Sequence, residues 1–290
     1  MMSLFSLILG VTMLGAATTT KLPSDAKGLV EYMGRDDFAG RAACEELVKL
    51  GKAAVPELLG ALQSREPRVR YWSASALCRI GEERAYKSLV ELLRNDPNPV
   101  VRSTVLWHLQ HFKKNEVFEL AVQSLGDSDA MVRSWALKVL EEGKQTARLP
   151  EVLKLLKDKE PGVRHDALMT AVKLGGISQF VLVKKMAADD PDAEVRAGTL
   201  RCLTLLPEKK GEIVAVMIRA LSDASPDVQG TAARLLGKGT NQSFGFDPSR
   251  PAAEREKAIA QWQEWYEARK NRLRWNEEKH RFVVLGEKDK

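Results

Sequence analysis

The sequence predicts an all-α fold, a right-handed α-solenoid of about seven helical hairpins with a C-terminal helical cap. The first observation behind this prediction is a Val-Arg pair that recurs along the chain, in full at Arg70, Arg102, Arg133, Arg164 and Arg196 and in altered form at Arg41 and Gln229. Successive copies lie 29 to 33 residues apart. A near-constant period of this size is typical of stacked helical units that bury their apolar faces against each other.

The second observation is the pattern around each Arg. In most copies Ala or Leu follows the Arg three or four residues later, and Leu usually follows it seven residues later. These positions form one apolar stripe on a helix. Four copies carry Pro three residues before the Arg or Gln, and Pro suits the first helical position because it has no N–H. Four residues before the repeated Arg or Gln, most copies carry a residue that can cap a helix. The seven copies hold Asp37, Glu66, Asn98, Asp129, Glu160, Asp192 and Ser225.

The third observation is how each unit closes. Glycine follows the apolar stripe in most copies and predicts the helix end, at Gly51, Gly81, Gly143, Gly175 and Gly237. A second apolar segment lies between consecutive Val-Arg helices, for example at residues 55–62 and 213–221. Each unit is therefore a helical hairpin that must stack on its neighbours to bury its apolar face.

The pattern Asp-Pro-x-x-Val-Arg, followed by Ala, Leu and Gly, resembles the HEAT repeat, in particular the HEAT-like repeats of phycobilin lyases, from about Gly34 to Gly239. This resemblance implies that the Val-Arg helices line the concave face and that their Arg side chains bond to acidic groups of adjacent repeats. A buried guanidinium needs a carboxylate partner, so we expect a structural ladder paired with the capping acids next door. Its members are Arg70, Arg102, Arg133, Arg164 and Arg196.

Three segments are expected: a signal peptide at residues 1–17, the repeat solenoid at 22–239, and a C-terminal loop, Trp-rich capping helix and tail at 240–290. The uncharged, mostly apolar run from Leu4 to Ala17 is too short to span a bilayer comfortably and ends in small residues. We therefore expect export to the periplasm or the extracellular space. A retained anchor or a buried first helix is the alternative.

The bulk composition limits the classes of partner and cofactor that we expect. The net charge of +6 comes from 45 basic and 39 acidic residues, a small and dispersed excess, whereas a nucleic-acid binder would more often show a concentrated basic stripe. The three cysteines are an odd, widely spaced set that suggests neither a disulfide framework nor a zinc site. We expect no cofactor and no metal.

The candidate binding residues lie one, two, five, eight and nine residues after the repeated Arg, on the exposed side of the Val-Arg helices. Aromatic and cationic residues at these positions suit a groove that grips a protein partner. The expected partner-binding residues are Tyr71, Trp72, Arg79, Trp107, Trp135, Lys138, His165 and Arg201. The alternative is that these Trp side chains pack between neighbouring helices at the edge of the core.

The function we expect is therefore a non-catalytic protein-binding scaffold. A lyase-type enzyme or enzyme subunit is the first alternative, and Asp166 beside His165 is the one neighbouring acid–base pair that it suggests. The His-Glu pairs of HEAT-like iron hydroxylases have no counterpart, because the four His residues are followed by Leu109, Phe112, Asp166 and Arg281. Nucleic-acid binding is the second alternative, in line with the basic aromatic concave faces of HEAT-like DNA glycosylases.

The C-terminal segment has a different composition. Residues 240–251 contain turn-forming residues, and residues 252–272 predict a charged helix that puts Trp262, Trp265 and Tyr266 on one side. We expect this helix to close the apolar end of the solenoid. Residues 281–285 are compatible with a short strand or an extended arm.

Overall fold

The computed structural model describes residues 22–203, 206 and 210–286. The chain divides between Glu82 and Glu83 into two compact units. Helical hairpins make up both units, and the predicted all-α solenoid is confirmed. The expected signal peptide at residues 1–17 lies outside the described residues and stays a prediction. Within the described part of the chain, no helix is both long and apolar enough to cross a membrane.

The first unit contains two helical hairpins, formed by α1 (Ala26–Met33), α2 (Asp37–Leu50), α3 (Val55–Ala61) and α4 (Pro67–Ile80). Helices α2 and α4 carry the repeated Arg position and pack side by side, while α1 and α3 pack on them. Leu29, Met33, Leu47 and Leu77 are fully or almost fully buried between these helices.

The second unit continues the same alternation and adds a C-terminal helix and two strands. Its elements are α5 (Tyr86–Asn95), α6 (Pro99–His108), α7 (Glu116–Ser124), α8 (Ala130–Glu142), α9 (Leu149–Lys154), α10 (Pro161–Gly175), α11 (Phe180–Asp189), α12 (Ala193–Cys202), α13 (Lys210–Ala220), α14 (Pro226–Thr240), α15 (Ala252–Arg269), β1 (Leu273–Asn276) and β2 (Arg281–Val284). Helices α6, α8, α10, α12 and α14 pack successively side by side, and we call them the arginine-helix layer. Helices α5, α7, α9, α11 and α13 form the second layer.

The helix starts follow the sequence pattern with corrections. Pro67, Pro99, Pro161 and Pro226 each occupy the first helical position as predicted. Asp37 is wrong as a cap: the helix already includes it, and Asp36 accepts the hydrogen bond from the N–H of Ala39 at 2.8 Å. Asn98, Asp129 and Asp192 cap with their side chains. The copies at Glu66, Glu160 and Ser225 hold the cap position without such a bond.

One predicted helix end is wrong, and another lacks the left-handed conformation. Helix α14 continues past Gly237 to Thr240, and Asn241 adopts the left-handed conformation after it. Helix α8 ends at Glu142 with Gly143 at the C-cap, as predicted, but the left-handed residue is Lys144. Gly143 makes room for the ring of Phe118, because a Cβ at this position would lie 2.2 Å from that ring. Gly51 and Gly81 do end their helices with positive φ angles of 59° and 73°.

The C-terminal helix packs on the end of the repeats. In α15, Trp262 and Trp265 are buried in one apolar cluster with residues of α13 and α14. Phe244, from the loop before α15, meets Trp262 edge-on at a centroid distance of 4.7 Å. Strands β1 and β2 form an antiparallel hairpin, and Phe282 of β2 packs against Gly239 of α14.

Candidate binding face

The repeated Arg side chains of the second unit each bind a carboxylate from the following repeat. In all four, Nε and Nη2 donate to the two oxygens of one Asp at 2.7–2.9 Å, which is the planar fork that suits a guanidinium. The pairs are Arg102–Asp127, Arg133–Asp158, Arg164–Asp190 and Arg196–Asp223. We call these four pairs the Arg–Asp ladder.

The expected partner was wrong in one respect. The carboxylate belongs to the Asp two residues before the cap position and not to the capping residue, because the loop before the cap lies nearer to the guanidinium. The same Asp also accepts the backbone N–H two residues ahead, as Asp190 does from Asp192 at 3.0 Å. Nη1 of the next Arg then bonds to the carbonyl of that Asp, as Arg196 does to Asp190 at 2.8 Å. Each inner Asp is therefore held by two consecutive Arg side chains.

The electrostatics of the ladder agree with this bonding. Burial tends to raise the pKa of Asp190, but the hydrogen bonds from Arg164 and from the N–H of Asp192 outweigh it, and the pKa lies below its ordinary value. The pKa values of Asp127, Asp158 and Asp223 are lowered as well. The hydrogen bond to Asp190 raises the pKa of Arg164. All four Asp residues are therefore ionised at neutral pH, which suits a structural role.

The last repeat replaces the Arg with Gln229. Its Nε2 donates to the carbonyl of Asp223 at 2.6 Å, the bond that Nη1 makes in the other repeats. Its Oε1 accepts from Nη1 of Arg255 in α15 at 3.2 Å. Helix α15, which follows this repeat, offers the guanidinium of Arg255 as a donor and not a carboxylate as an acceptor. The amide of Gln229, which can both donate and accept, therefore stands where the other repeats have a guanidinium.

The ladder fixes the rotation of each helix in the layer and so defines its open side. On α8, for example, Val132, Arg133, Ala136 and Leu140 are buried, while Trp135 is half-buried. Five residues predicted to lie on the exposed side are buried instead, namely Ser103, Val172, Ala197, Gly198 and Thr231. We call the other described residues one, two, five, eight and nine positions after the repeated Arg or Gln in the repeats of α6, α8, α10, α12 and α14 the open face.

Trp107 and Trp135 are the predicted site residues that the structure brings together. They lie on adjacent helices of the layer, α6 and α8, with ring centroids 5.1 Å apart and ring planes inclined by 57°. Both side chains are half-buried. This pair gives the open face a patch of aromatic surface that remains partly accessible.

An ionic network lies beside this pair. Nζ of Lys138 contacts Glu141 at 2.8 Å and Glu142 at 2.7 Å, and Nζ of Lys173 on α10 contacts the same oxygen of Glu141 at 2.7 Å. Two cations and two carboxylates therefore offset each other on α8 and α10. The predicted binding residue Lys138 is held in this network.

Farther along the layer, His165 packs over Gly198 of α12. A Cβ on Gly198 would lie 2.7 Å from the His165 ring, so glycine is required for this contact. Nδ1 of His165 lies 3.8 Å from Asp166, and each side chain is one-third exposed. Arg201 is exposed on the same helix as Gly198.

The first unit holds the other predicted residues. Trp72 of α4 fits against Gly40 of α2, where a Cβ would lie 2.0 Å from its Nε1. That Nε1 is buried and makes no hydrogen bond within the described residues. Tyr71 meets Trp72 edge-on at 4.6 Å, and the exposed Arg79 contacts Sγ of Cys44 at 3.7 Å. Trp72 is therefore part of the helix packing of this unit.

Sequence reasoning missed the glycines that make room for large side chains. Gly40 stands where the other copies hold Val, and this replacement was the available signal for a bulky neighbour. Gly198 similarly stands two residues after Arg196, where two other copies hold Trp72 and Trp135.

The cysteines and the possible metal ligands are the described residues that thiol or metal chemistry would need. The three cysteines are buried, and burial raises the pKa of each thiol, that of Cys202 to about 12. A thiol with such a pKa stays protonated and is a poor nucleophile. In the part of the chain that the structure describes, no group of three His, Cys, Asp or Glu side chains could hold a metal ion.

Together, the repeated hairpins, the ladder and the open face define an all-α repeat protein. The family model of HEAT repeats matches residues 26–110, 86–172 and 118–204, and the chain belongs to the HEAT repeat family. None of the curated proteins matches the sequence.

Solved structures match the chain at low identity and low TM-score. The complex of CpcE and CpcF of phycocyanin lyase from Nostoc sp. PCC7120 includes a chain that is 17% identical, with a TM-score of 0.41, covering 87% of this chain and 99% of that one. An engineered protein is 18% identical, with a TM-score of 0.41 and coverage of 83% and 78%. Human deoxyhypusine hydroxylase in complex with glycerol is 17% identical, with a TM-score of 0.33 and coverage of 84% and 96%.

Proposed function

We propose that this HEAT repeat protein is a non-catalytic scaffold that binds another protein through the open face. The observation that carries the proposal is the half-buried Trp107–Trp135 pair, with centroids 5.1 Å apart on two adjacent helices. Trp side chains often dominate the binding energy of protein interfaces when they can be fully covered by a partner. The Arg–Asp ladder behind them preorganises the face, since each helix is tied to the next repeat.

The ionic network beside the pair also supports a protein partner. Lys138, Lys173, Glu141 and Glu142 already satisfy each other, so they form a polar border around the aromatic anchor. An apolar centre with a polar rim is the usual anatomy of a protein interface.

The test is a pull-down from an extract of cells or envelopes with the wild-type chain and the variant Trp107→Ala/Trp135→Ala. A matched control, Tyr86→Ala/Phe118→Ala, removes two half-buried aromatic side chains from second-layer helices. Circular dichroism must first show that all three proteins are folded. We expect the wild type and the control to capture one shared partner and the Trp variant to lose it. Loss in the control alone, or retention in the Trp variant, would contradict the proposal.

A lyase-type subunit would instead need a reactive acid or base on the same face, and His165 with Asp166 is the pair to test. On the scaffold proposal, the variant Asp166→Asn retains the partner and every cellular activity that depends on the chain. Loss of such an activity with the partner still bound would favour the enzyme alternative.

We also propose that the chain is exported and cleaved near Ala17, because the run from Leu4 to Ala17 has the length and the small-residue end of a signal peptide. Mass spectrometry of the mature protein should find an N-terminus close to residue 18. An intact chain that still begins at Met1 or Met2 would contradict cleavage.

A further inference from the structure

The C-terminal hairpin is a two-stranded sheet, so each of its strands has an outer edge. The N–H of Leu285, just after β2, donates to the carbonyl of Arg272 at 3.0 Å and extends the β1–β2 register by one pair. In an antiparallel ladder, hydrogen-bonded pairs alternate with non-hydrogen-bonded pairs. On β2, Val283 therefore bonds inward to β1, while the N–H and C=O groups of Phe282 and Val284 point outward.

The outer edges of the two strands differ. On β1 the outward residues are Leu273 and Trp275, and Nη1 of Arg274 donates to the outward carbonyl of Leu273 at 2.7 Å. On β2, the outward groups of Phe282 and Val284 have no hydrogen-bond partner among the residues that the structure describes. Buried backbone groups are nearly always hydrogen-bonded, so these groups face water or a further strand. We call the outward side of β2 the free edge.

The free edge is mostly apolar. Edge strands are commonly protected by charged residues or Pro. On β2 a charge stands only at the first residue, Arg281, and the chain then continues as Phe-Val-Val-Leu up to Leu285, which is 52% exposed. An apolar edge of this kind is a template for pairing with another strand.

The free edge is complementary to itself. When a second copy of β2 runs antiparallel to the first with the twofold axis at Val283, Phe282 of each copy exchanges both hydrogen bonds with Val284 of the other. Every outward N–H and C=O group of the two strands is then paired. The two Val283 side chains face each other, and Arg281 lies opposite Leu285 of the second copy, so like charges are not directly opposed.

The neighbouring registers fit less well. An axis at Phe282 would need a bonded pair between Val284 and His280, and an axis at Val284 would need one between Phe282 and Gly286. His280 and Gly286 have φ angles of 46° and 83°, which do not fit an extended strand. Each of these registers would leave outward groups of β2 unpaired, so the axis at Val283 is favoured.

We propose that the chain forms a twofold-symmetric dimer in which the free edges of two copies pair, giving a four-stranded antiparallel sheet in the order β1-β2-β2-β1. Because each copy has one free edge, the assembly closes as a pair and does not grow into a filament. Two four-residue strands bury less than a standard interface of about 1,200 Å² or more, so the dimer is weak, with a dissociation constant of about 10–100 µM. The pair presents two open faces, which goes beyond the proposed scaffold function and does not depend on it.

Sedimentation velocity of the full chain from about 5 to 500 µM covers the expected dissociation constant. We expect a shift from monomer to dimer over this range. Val283→Glu places two carboxylates face to face at the axis and should weaken the dimer at least about 10-fold, because opposed like charges strongly disfavour an interface. The monomer should tolerate this change, since Arg274 of β1 lies opposite position 283.

Asn276→Asp is the matched control for this variant. It adds the same charge to the same hairpin, opposite Arg281 and away from the free edge, and keeps the acceptor for the N–H of Lys279 at 2.9 Å. It should leave the dissociation constant within about 2-fold of the wild-type value, as expected for an exposed charge. Equal weakening by both variants, or a wild type that stays monomeric up to about 500 µM, would overturn the proposal. Unfolding curves must show that both variants fold like the wild type.

Disulfide formation tests the register independently. The twofold axis places the two Cα atoms of residue 283 about 4.5 Å apart, which is within the range of a disulfide. Val283→Cys should therefore crosslink to itself in a glutathione buffer. Arg281→Cys and Leu285→Cys should crosslink only with each other, because each lies about 13 Å from its own copy. The three native cysteines are buried and do not compete.

Asn276→Cys is the control for random collision and should not crosslink. Equal crosslinking of Asn276→Cys and Val283→Cys, or no crosslinking of Val283→Cys, would contradict the dimer. Crosslinking of Val283→Cys to a different protein in cells, and not to itself, would show that a strand of another protein occupies the free edge and that the second copy is the wrong occupant.

Discussion

The inner repeats and the end repeats use the same sequence position in three different ways. From Arg102 to Arg196 the guanidinium is largely buried, and its Nε and Nη2 both donate to the Asp of the next loop. Arg41, in the first repeat, is 71% exposed, and its Nε donates to Glu45 of its own helix at 3.3 Å. Gln229, in the last repeat, accepts a hydrogen bond from Arg255. The same position is thus charged and buried, charged and exposed, or neutral and buried.

The cause lies in the element that follows each repeat. After each of the four inner repeats comes a loop with Asp at the ladder position. After the Arg41 helix, the equivalent loop position holds Ser64, which has no charge to offer. In the first unit Arg68 instead donates from its Nε to Asp37 at 2.9 Å. The carboxylate available in the following repeat therefore determines whether the Arg at this position is buried.

The largest effect should come from breaking an inner pair. Arg164→Ala leaves the carboxylate of Asp190 buried without its guanidinium, and removing one partner of a buried ion pair costs about 3–5 kcal/mol. Arg41→Ala, which removes an exposed i,i+4 pair, should cost about 0–0.5 kcal/mol. Urea unfolding of the two variants measures both. Similar losses in the two variants would show that the inner and end positions do not differ as described.

A smaller effect is expected in the first unit from Gly40→Ala. The new Cβ would lie 2.0 Å from Nε1 of Trp72, so the ring must move, and overpacking of this kind costs about 1–3 kcal/mol. Gly60→Ala in α3 is the matched control, because no atom lies within 4 Å of its Cβ position. Since Ala favours a helix over Gly by up to about 1 kcal/mol, this control should be neutral or stabilising. Thermal unfolding of both variants decides the point, and equal behaviour would contradict the fit of Trp72 against Gly40.

The last repeat gives a third prediction, of about 1–2 kcal/mol. Gln229→Arg restores the repeated residue but places two guanidinium groups together and removes the acceptor of Arg255. The double variant Gln229→Arg/Arg255→Glu supplies a carboxylate and should recover most of the loss. Thermal unfolding of the single and double variants measures the recovery. If the single variant is as stable as the wild type, then Arg255 does not determine the residue at this position.

The smallest effect under ordinary conditions is the response to mild acid. The folded-state pKa values of Asp127, Asp158, Asp190 and Asp223 lie below the free value of 3.8, so the ladder contributes stability above that pH and loses it as the pH falls through the folded pKa values. Melting temperatures should therefore vary little between pH 7 and about pH 5 on account of these groups and fall below about pH 4. Asp223→Asn should show a shallower fall. A steep ladder-dependent loss above pH 5 would contradict the lowered pKa values.

Much of the fold could be predicted from the sequence because the same helix pattern, weak in a single copy, recurs in several copies. One Val-Arg pair means little, but five copies, three of them with Pro and four with Leu at fixed offsets, locate the helix starts. The ladder partner was harder to predict, because a cap column and an Asp column lie two residues apart and both contain acids. Asp96, Asp127, Asp158, Asp190 and Asp223, each six residues before the repeated position, were nevertheless visible.

The candidate site could be predicted only in part. Periodicity placed Trp107 and Trp135 on one side of their helices, and the structure adds that they touch. Periodicity could not show how Trp72 packs, because its fit depends on the missing Cβ of Gly40 in a different helix, although all three Trp side chains are half-buried. Side-chain contacts between repeats depend on such pairs of positions, which a single column does not show.

The most direct test of the scaffold function is photo-crosslinking in cells. A benzophenone amino acid at His111, exposed in the turn Leu109–Phe112 that follows α6, probes the open face, and the same group at the exposed Lys154 of α9 probes the second layer. We predict a single crosslinked protein from position 111 and none from position 154. Crosslinking from position 154 alone, or equally from both positions, would contradict recognition through the open face.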